Sequence, residues 1–446
     1  MTSAAEQFAS NITLDSFLKA DELKKRLLFA LGALIVYRFG TFIPLPGIDS
    51  AAFAENFKSQ SGGLLGTLNI FAGGAVERMA IFALNIMPYI SASIIMQLMT
   101  AVIPSLEAVK KEGEQGRRQI NQYTRYLTVV LATVQGFFIA TNLIGQTNNV
   151  VVINHQLFLL TTTVTLVGGV MFLLWLGEQI TSRGIGNGVS LIIFAGIVAE
   201  LPRAAVGLLD QGRAGGLPPG IVFAVLILML ALIAFVVFIE RSQRRLLVQY
   251  PRRQVGNRMT QGEKSHLPLK LNISGVIPPI FASSILLLPV TVASAGGKGS
   301  PEWLQSIARM FSPGTLGYIT IYGLGIVMFA FVYTSVVFNT EDVSDNLKKQ
   351  GGFIQGYRPG PRTADYLDYV VTRLTVIGAA YLAFVCLLPE LLRLQYSSIP
   401  VYIGGTSLLI VVSVTLDTVG QIQGHLVAQQ YESLIKKSKL KGGRRR

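Results

Sequence analysis

Four neutral amides stand in otherwise apolar stretches of this 446-residue chain: Asn85, Gln97, Gln135 and Asn272. The chemistry open to them is reversible hydrogen bonding between helices. Each such bond contributes only about 0.6 kcal/mol, so a helix seam that carries them can part and close again; ordinary interhelical bonding accounts for them equally well. Acids that could relay protons or hold coupling ions are scarce in the same stretches. Asp417 lies near the end of one, and Glu178, Glu200 and Glu240 sit at edges. That pattern favours a passive conduit over a solute transporter with a charged midplane site, which is the competing reading. Catalysis finds no support: Cys386 is a lone cysteine inside an apolar stretch, and His155, His266 and His425 are far apart without ligand spacing. The glycines at 296–300 lack the spacing of a phosphate loop, so no metal or cofactor is expected and any driving energy comes from elsewhere.

A second chemistry-bearing group is basic. Residues 240–270 read ERSQRRLLVQYPRRQVGNRMTQGEKSHLPLK, in which alternating Leu246, Val248 and Tyr250 lead to a turn around Gly256–Asn257. Period-two alternation into Gly-Asn predicts a β-hairpin, with Arg252, Arg253 and Arg258 close to its tip. Residues 346–367 hold Arg358 between Tyr357 and Pro359 in a turn rich in Gly and Pro. A solvated loop accounts for the charges but not for the hairpin. A large anionic partner such as ribosomal RNA accounts for both.

These residues must be positioned by membrane helices. The chain is 51% hydrophobic and 14% charged, with a mean hydropathy of +0.51. Apolar runs predict spans at 27–43, 79–103, 126–144, 157–176, 221–239, 273–292, 316–338, 370–388 and 401–419. A tenth at 189–209 is weakened by Glu200, Pro202 and Arg203. With ten spans and the termini inside, most of the 38 Lys and Arg fall on one side, the cytoplasmic signature. The net charge of +14 is therefore mostly topology. The polar first twenty residues lack the apolar core of a cleavable signal peptide.

Between the first two spans lies Leu64 to Phe71, bracketed by Gly62, Gly63, Gly66, Gly73 and Gly74 and joined through Glu77 and Arg78 to the second span. A crossing helix needs about 20 apolar residues, so this piece is too short to span. A glycine-hinged half-segment feeding a full span suits a movable stopper in a pore. A turn lying on the membrane surface is the alternative.

Six blocks carry a resemblance: FALNIMPYISASIIMQL (82–98), KKEGEQGRRQINQYTRY (110–126), GEQITSRGIGNGVSLIIFAGIV (177–198), HLPLKLNISGVIPPIFASSI (266–285), DNLKKQGGFIQGYRPG (345–360) and GGTSLLIVVSV (404–414). They resemble the signature blocks of the bacterial SecY family, the central subunit of the general protein-secretion channel. The likeness runs over about residues 23–440. It implies an all-α polytopic membrane protein: ten transmembrane helices in two inverted five-helix halves, 1–210 and 211–446, around an hourglass pore. No sequence similarity between the halves is visible. The resemblance makes 62–75 the plug, with Leu64, Leu65, Leu68, Ile70 and Phe71 its apolar residues. It places the pore ring on Ile86, Ile90, Val189, Ile193, Ile280 and Ile410, with Val189 standing where the family pattern has Ile. An apolar ring yields around any side chain and gates water by dewetting. The implied lateral gate takes Ser91, Gln97, Gln135, Asn272 and Leu288. Arg252, Arg253, Arg258 and Arg358, in loops 240–271 and 340–372, are the implied contacts for the SecA motor or the ribosome; the basic tail spans 432–446. The implied partners also include the membrane subunits SecE and SecG, signal sequences, nascent chains and the phospholipid bilayer. The implied location is the bacterial inner membrane, with both termini cytoplasmic and no enzymatic activity.

Overall fold

The computed structural model describes residues 21–60, 64–144, 151–213, 218–250, 254–255, 258–259, 264–295, 310–311, 314–395 and 404–442. Helices come in the order α1 (Asp21–Gly40), α2 (Ser50–Gln60), α3 (Leu64–Phe71), α4 (Met87–Val102), α5 (Pro104–Lys111), α6 (Glu114–Ile144), α7 (His155–Arg183), α8 (Gly188–Arg213) and α9 (Pro219–Arg241). Strands β1 (Gln243–Gln249), β2 (Gln254–Val255), β3 (Arg258–Met259) and β4 (Lys264–Lys270) follow. Then come α10 (Ile277–Ala295), α11 (Leu316–Val337), α12 (Thr340–Lys349), β5 (Phe353–Ile354), α13 (Pro361–Gln395) and α14 (Gly405–Gly442).

Each of the ten expected spans contains a helix. Prolines open some of the helices at the first turn, where the missing N–H costs nothing, as at Pro104 of α5 and Pro219 of α9. Seven helices among the described residues are long and apolar enough to cross a membrane, or eight if α4 and α5 count as one broken span. Helix α1 carries Lys24, Lys25 and Arg26 in its first turns, and the shorter apolar stretch of α10 runs over Ile277–Leu286. The α8 span holds as one continuous helix in spite of Pro202.

The second expected span, 79–103, needs correction. Residues 72–86 form a succession of turns and the helix begins only at Met87. Met79 (φ 42°) and Asn85 (φ 47°) adopt the left-handed conformation, which ends any α-helix. Pairing elsewhere satisfies the freed backbone: Leu45 N–H donates to the Met79 carbonyl (2.9 Å) and Ile81 N–H to that of Ile43 (3.0 Å). Helix α4 then turns by 99° into α5 at Pro104.

Two compact units emerge. One comprises residues 1–90, 126–203 and 410–446, the other 91–125 and 204–409. In the first, Leu45, Phe53, Phe57, Ala80, Leu84, Ala132, Phe158 and Val170 make a buried core, so α2 is held by its two phenylalanines. A side chain at Gly169 would put its Cβ 2.2 Å from the Ile81 carbonyl oxygen, so glycine there lets the turn segment lie directly on α7.

In the second unit β1 is the central strand of a sheet ordered β4-β1-β5. Strands β1 and β4 pair antiparallel from Gln243↔Lys270 to Gln249↔Lys264, and β5 joins through Val248↔Ile354. The predicted hairpin is present, with β2 and β3 paired Val255↔Arg258 beyond it; its turn residues Gly256 and Asn257 lie outside the described residues. Leu246, Val248, Leu269 and Ile354 close a core against Leu367, Val370 and Leu374 at the start of α13. Leu367 is fully buried there. Leu367→Ala is expected to destabilise this module by about 2–5 kcal/mol, read as faster proteolysis of residues 243–270 in the assembled protein.

Candidate functional site

In the first unit the short helix α3 and the turn after it sit on one face of α8. That face is built by helical spacing: Val189, Ile193, Gly196, Glu200 and Arg203 follow at intervals of three or four. Its centre carries no side chain. A Cβ at Gly196 would lie 2.7 Å from the Phe71 carbonyl oxygen and 2.9 Å from the Tyr37 hydroxyl. A Cβ at Gly73 would lie 2.9 Å from Gly196 Cα, so two glycine backbones are in contact. Gly73 (φ 62°) and Gly74 (φ 81°) supply the left-handed turn that brings the end of α3 onto this seat.

Polar bonds hold the turn from three sides. Arg38 of α1 donates to the Gly73 carbonyl, Tyr37 Oη to that of Ala72 (3.4 Å) and Asn85 Nδ2 to that of Phe71. The fully buried Asn69 of α3 accepts from the Glu77 N–H (2.9 Å). Asn85 Oδ1 also accepts from Ile86 N–H (2.8 Å), so this amide serves the turn and the start of α4. Beneath lies a run of rings, Tyr37, Phe82, Phe172 and Trp175, with neighbouring centroids 5.8–6.3 Å apart. Of the expected plug residues, Ile70 and Phe71 are buried in this seat; the side chains of Leu64, Leu65 and Leu68 lie outside the described residues.

The aliphatic positions expected for a pore ring fall in both units. In the first, Ile86, Ile193 and Ile410 are buried, and Ile90 and Val189 half-buried; Ile280 in the second is half-buried. Ile90 follows Ile86 by one turn at the head of α4, as Ile193 follows Val189 on α8.

Of the amides, Gln97 shares a small cavity in the second unit with Leu98, Phe281, Phe329, Val332, Tyr333 and Val336. Its Nε2 reaches Ser93 Oγ at 3.5 Å, while its buried Oε1 has no hydrogen-bond partner among the described residues. One polar side chain from α4 thus meets an apolar wall made by α10 and α11. Asn272 works as a tether: its Nδ2 donates to Glu240 Oε1 (2.8 Å) and the Gly275 carbonyl (3.0 Å), and its Oδ1 accepts from Ser274 (3.1 Å). Ser91 is buried and Gln135, on α6, is half-buried. Leu288 lies in α10, its side chain outside the described residues.

Arg358 is exposed at the head of an anchored turn. Its carbonyl accepts from Thr363 Oγ1 (2.8 Å), the Gly360 carbonyl accepts from buried Ser344 (2.8 Å), and Tyr357 stacks on Tyr366 with centroids 4.1 Å apart. Gly356 (φ 92°) and Gly360 (φ 113°) make the two bends. Arg252 and Arg253 lie outside the described residues, as does the side chain of Arg258 on β3. The sequence reading missed the seat on α8. Its signal was present: Glu200 and Arg203, taken as flaws in a span, continue the spacing of Val189, Ile193 and Gly196.

A model of the SecY family matches residues 80–419 of this chain. The protein translocase subunit SecY of Vibrio cholerae is 52% identical over 425 residues, covering 94% of this chain and 96% of its own. That of Escherichia coli K12 is 53% identical over 424 residues, with coverage of 94% and 96%. Two solved structures share the fold at 18% identity, each match covering 90% of this chain and 92% of the other. One is of a protein-conducting channel (TM-score 0.63), the other concerns the plug domain of the SecY protein (TM-score 0.67).

Proposed function

This chain belongs to the SecY family, and on that premise we propose that it is the protein-conducting subunit of a secretion channel. It passes unfolded chains across the bacterial inner membrane and releases apolar segments sideways into lipid. The observation that carries this reading is the seat described above: a half-length helix, hinged by Gly73 and Gly74, resting on a side-chain-free patch of α8. A solute transporter has no use for a removable eight-residue helix.

Residues 62–75 are the plug. Ile86, Ile90, Val189, Ile193, Ile280 and Ile410 each contribute an aliphatic side chain to the constriction. Ser91, Gln97, Gln135, Asn272 and Leu288 are gate positions, Gln97 because an amide against an apolar wall is held weakly. The ten helices cross with both termini cytoplasmic, as halves 1–210 and 211–446, and the charge distribution supports that orientation. SecE and SecG complete the complex, and SecA or the ribosome engages Arg252, Arg253, Arg258 and Arg358. The chain itself catalyses nothing.

The test is ATP-dependent protection of a secretory precursor from protease, in proteoliposomes holding this chain with SecE, SecG and SecA. Protection that requires ATP and the complete complex is the expected result. An assembled complex that protects nothing would return the chain to the solute-transporter reading.

A further inference from the structure

Five charged side chains gather where the plug's turn meets α8. Arg203 Nη1 lies 2.7 Å from Glu77 Oε2 and 3.9 Å from Glu200 Oε2. The two carboxylates differ in position. Glu77 belongs to the turn segment, and its own N–H is bonded to Asn69 of the plug helix. Glu200 is one turn back on the same helix as Arg203 and is only 2% exposed, with Oε2 lacking a hydrogen bond among the described residues. Its carboxylate faces Gly74, where a Cβ would come within 2.4 Å of Oε1 and 3.3 Å of an Arg78 nitrogen. Arg78 and Arg38 both lie over the Phe42 ring, at 4.2 and 5.0 Å.

We propose that Arg203 is a positioning residue, an ionic latch with two alternative partners. In the seated state its guanidinium holds Glu77, and the line Arg203–Glu77–Asn69 fastens the plug helix to α8. When the plug departs it gives up the Asn69 bond that orients Glu77, and Arg203 swings from Glu77 towards Glu200, whose Oε2 already lies 3.9 Å away. Helical spacing of three residues allows that exchange by side-chain rotation alone. The exchanged pair offsets part of the electrostatic loss, which keeps opening cheap and reversible. Because the Arg203 side chain is 53% exposed, salt screens the seated pair.

The inference rests on the plug reading, and its test separates the two. Resting ion conductance is measured in planar bilayers with the chain assembled with SecE and SecG. Arg203→Gln and Glu77→Gln are each expected to raise it roughly fivefold, equivalent to about 1 kcal/mol at about 1.4 kcal/mol per tenfold. The double variant should match either single, since both remove one bond. Arg203→Lys should stay near the wild-type value. Glu200→Gln should change conductance in the opposite direction, because it removes the partner of the open state; a merely structural role would not reverse the sign. Conductance unchanged in Arg203→Gln, while deletion of 64–75 raises it, overturns the latch and leaves the plug standing. So does a double variant whose effects simply add. If neither the deletion nor Arg203→Gln changes conductance, both readings fall. Should Glu200→Gln not assemble, the Glu77 and Arg203 variants decide.

Discussion

Arg358→Glu is expected to lower motor-driven export by about 100-fold while leaving the complex assembled. The structure separates the two effects. Among the described residues, the bonds that shape this turn use other groups, among them the Thr363 hydroxyl on the Arg358 carbonyl, Ser344 on the Gly360 carbonyl, and the Tyr357–Tyr366 stack. The guanidinium itself is exposed, so reversing its charge leaves the turn's own interactions intact. Reversing a charge that meets an anionic surface on a partner costs about 3 kcal/mol when the pair is desolvated, which is the expected factor. The check is precursor protection per assembled complex, with SecA affinity measured alongside. Normal export would remove Arg358 from the contact surface.

Deleting 64–75 is expected to raise resting conductance by between about 10-fold and about 1,000-fold. That range is what removal of a stopper gives when the open form is a minor state populated at about 0.1–10%. Gly196→Val offers a graded version that keeps the plug. The added Cβ would stand 2.7 Å from the Phe71 carbonyl oxygen, too near for the helix to seat. Its conductance should fall between the wild type and the deletion. Wild-type conductance in the deletion would reject residues 64–75 as the closing element.

Much of the architecture could be read from local patterns. Spans 221–239 and 316–338 match α9 and α11 to within two residues at each end, because hydropathy alone decides such long uniform segments. The hairpin was visible as alternation running into a Gly-Asn turn. The parts that were missed depend on distant residues. Residues 79–86 are as apolar as any helix and are held as turns only because Ile43, Leu45 and Gly169 receive them. Helix α2 has its reason in a core built from Phe158 and Ala80. Strand β5 is two residues long and exists through pairing with β1, about a hundred positions earlier. In the candidate site, the half-length helix could be located by its glycines, but the face receiving it could not. Glu200 and Arg203 acquire meaning only once Gly73 is placed on Gly196.

The sheet of the second unit has a mechanical consequence. The hairpin and the loop bearing Arg358 are separate in sequence, yet β1 pairs with a strand of each, and the three share one core with the base of α13. Load on either β4 or β5 therefore reaches the other through β1, with Leu367, Val370 and Leu374 packed against the shared core. A force on only one of the two loops would still reach the other, and it would enter the 35-residue helix α13 at its base.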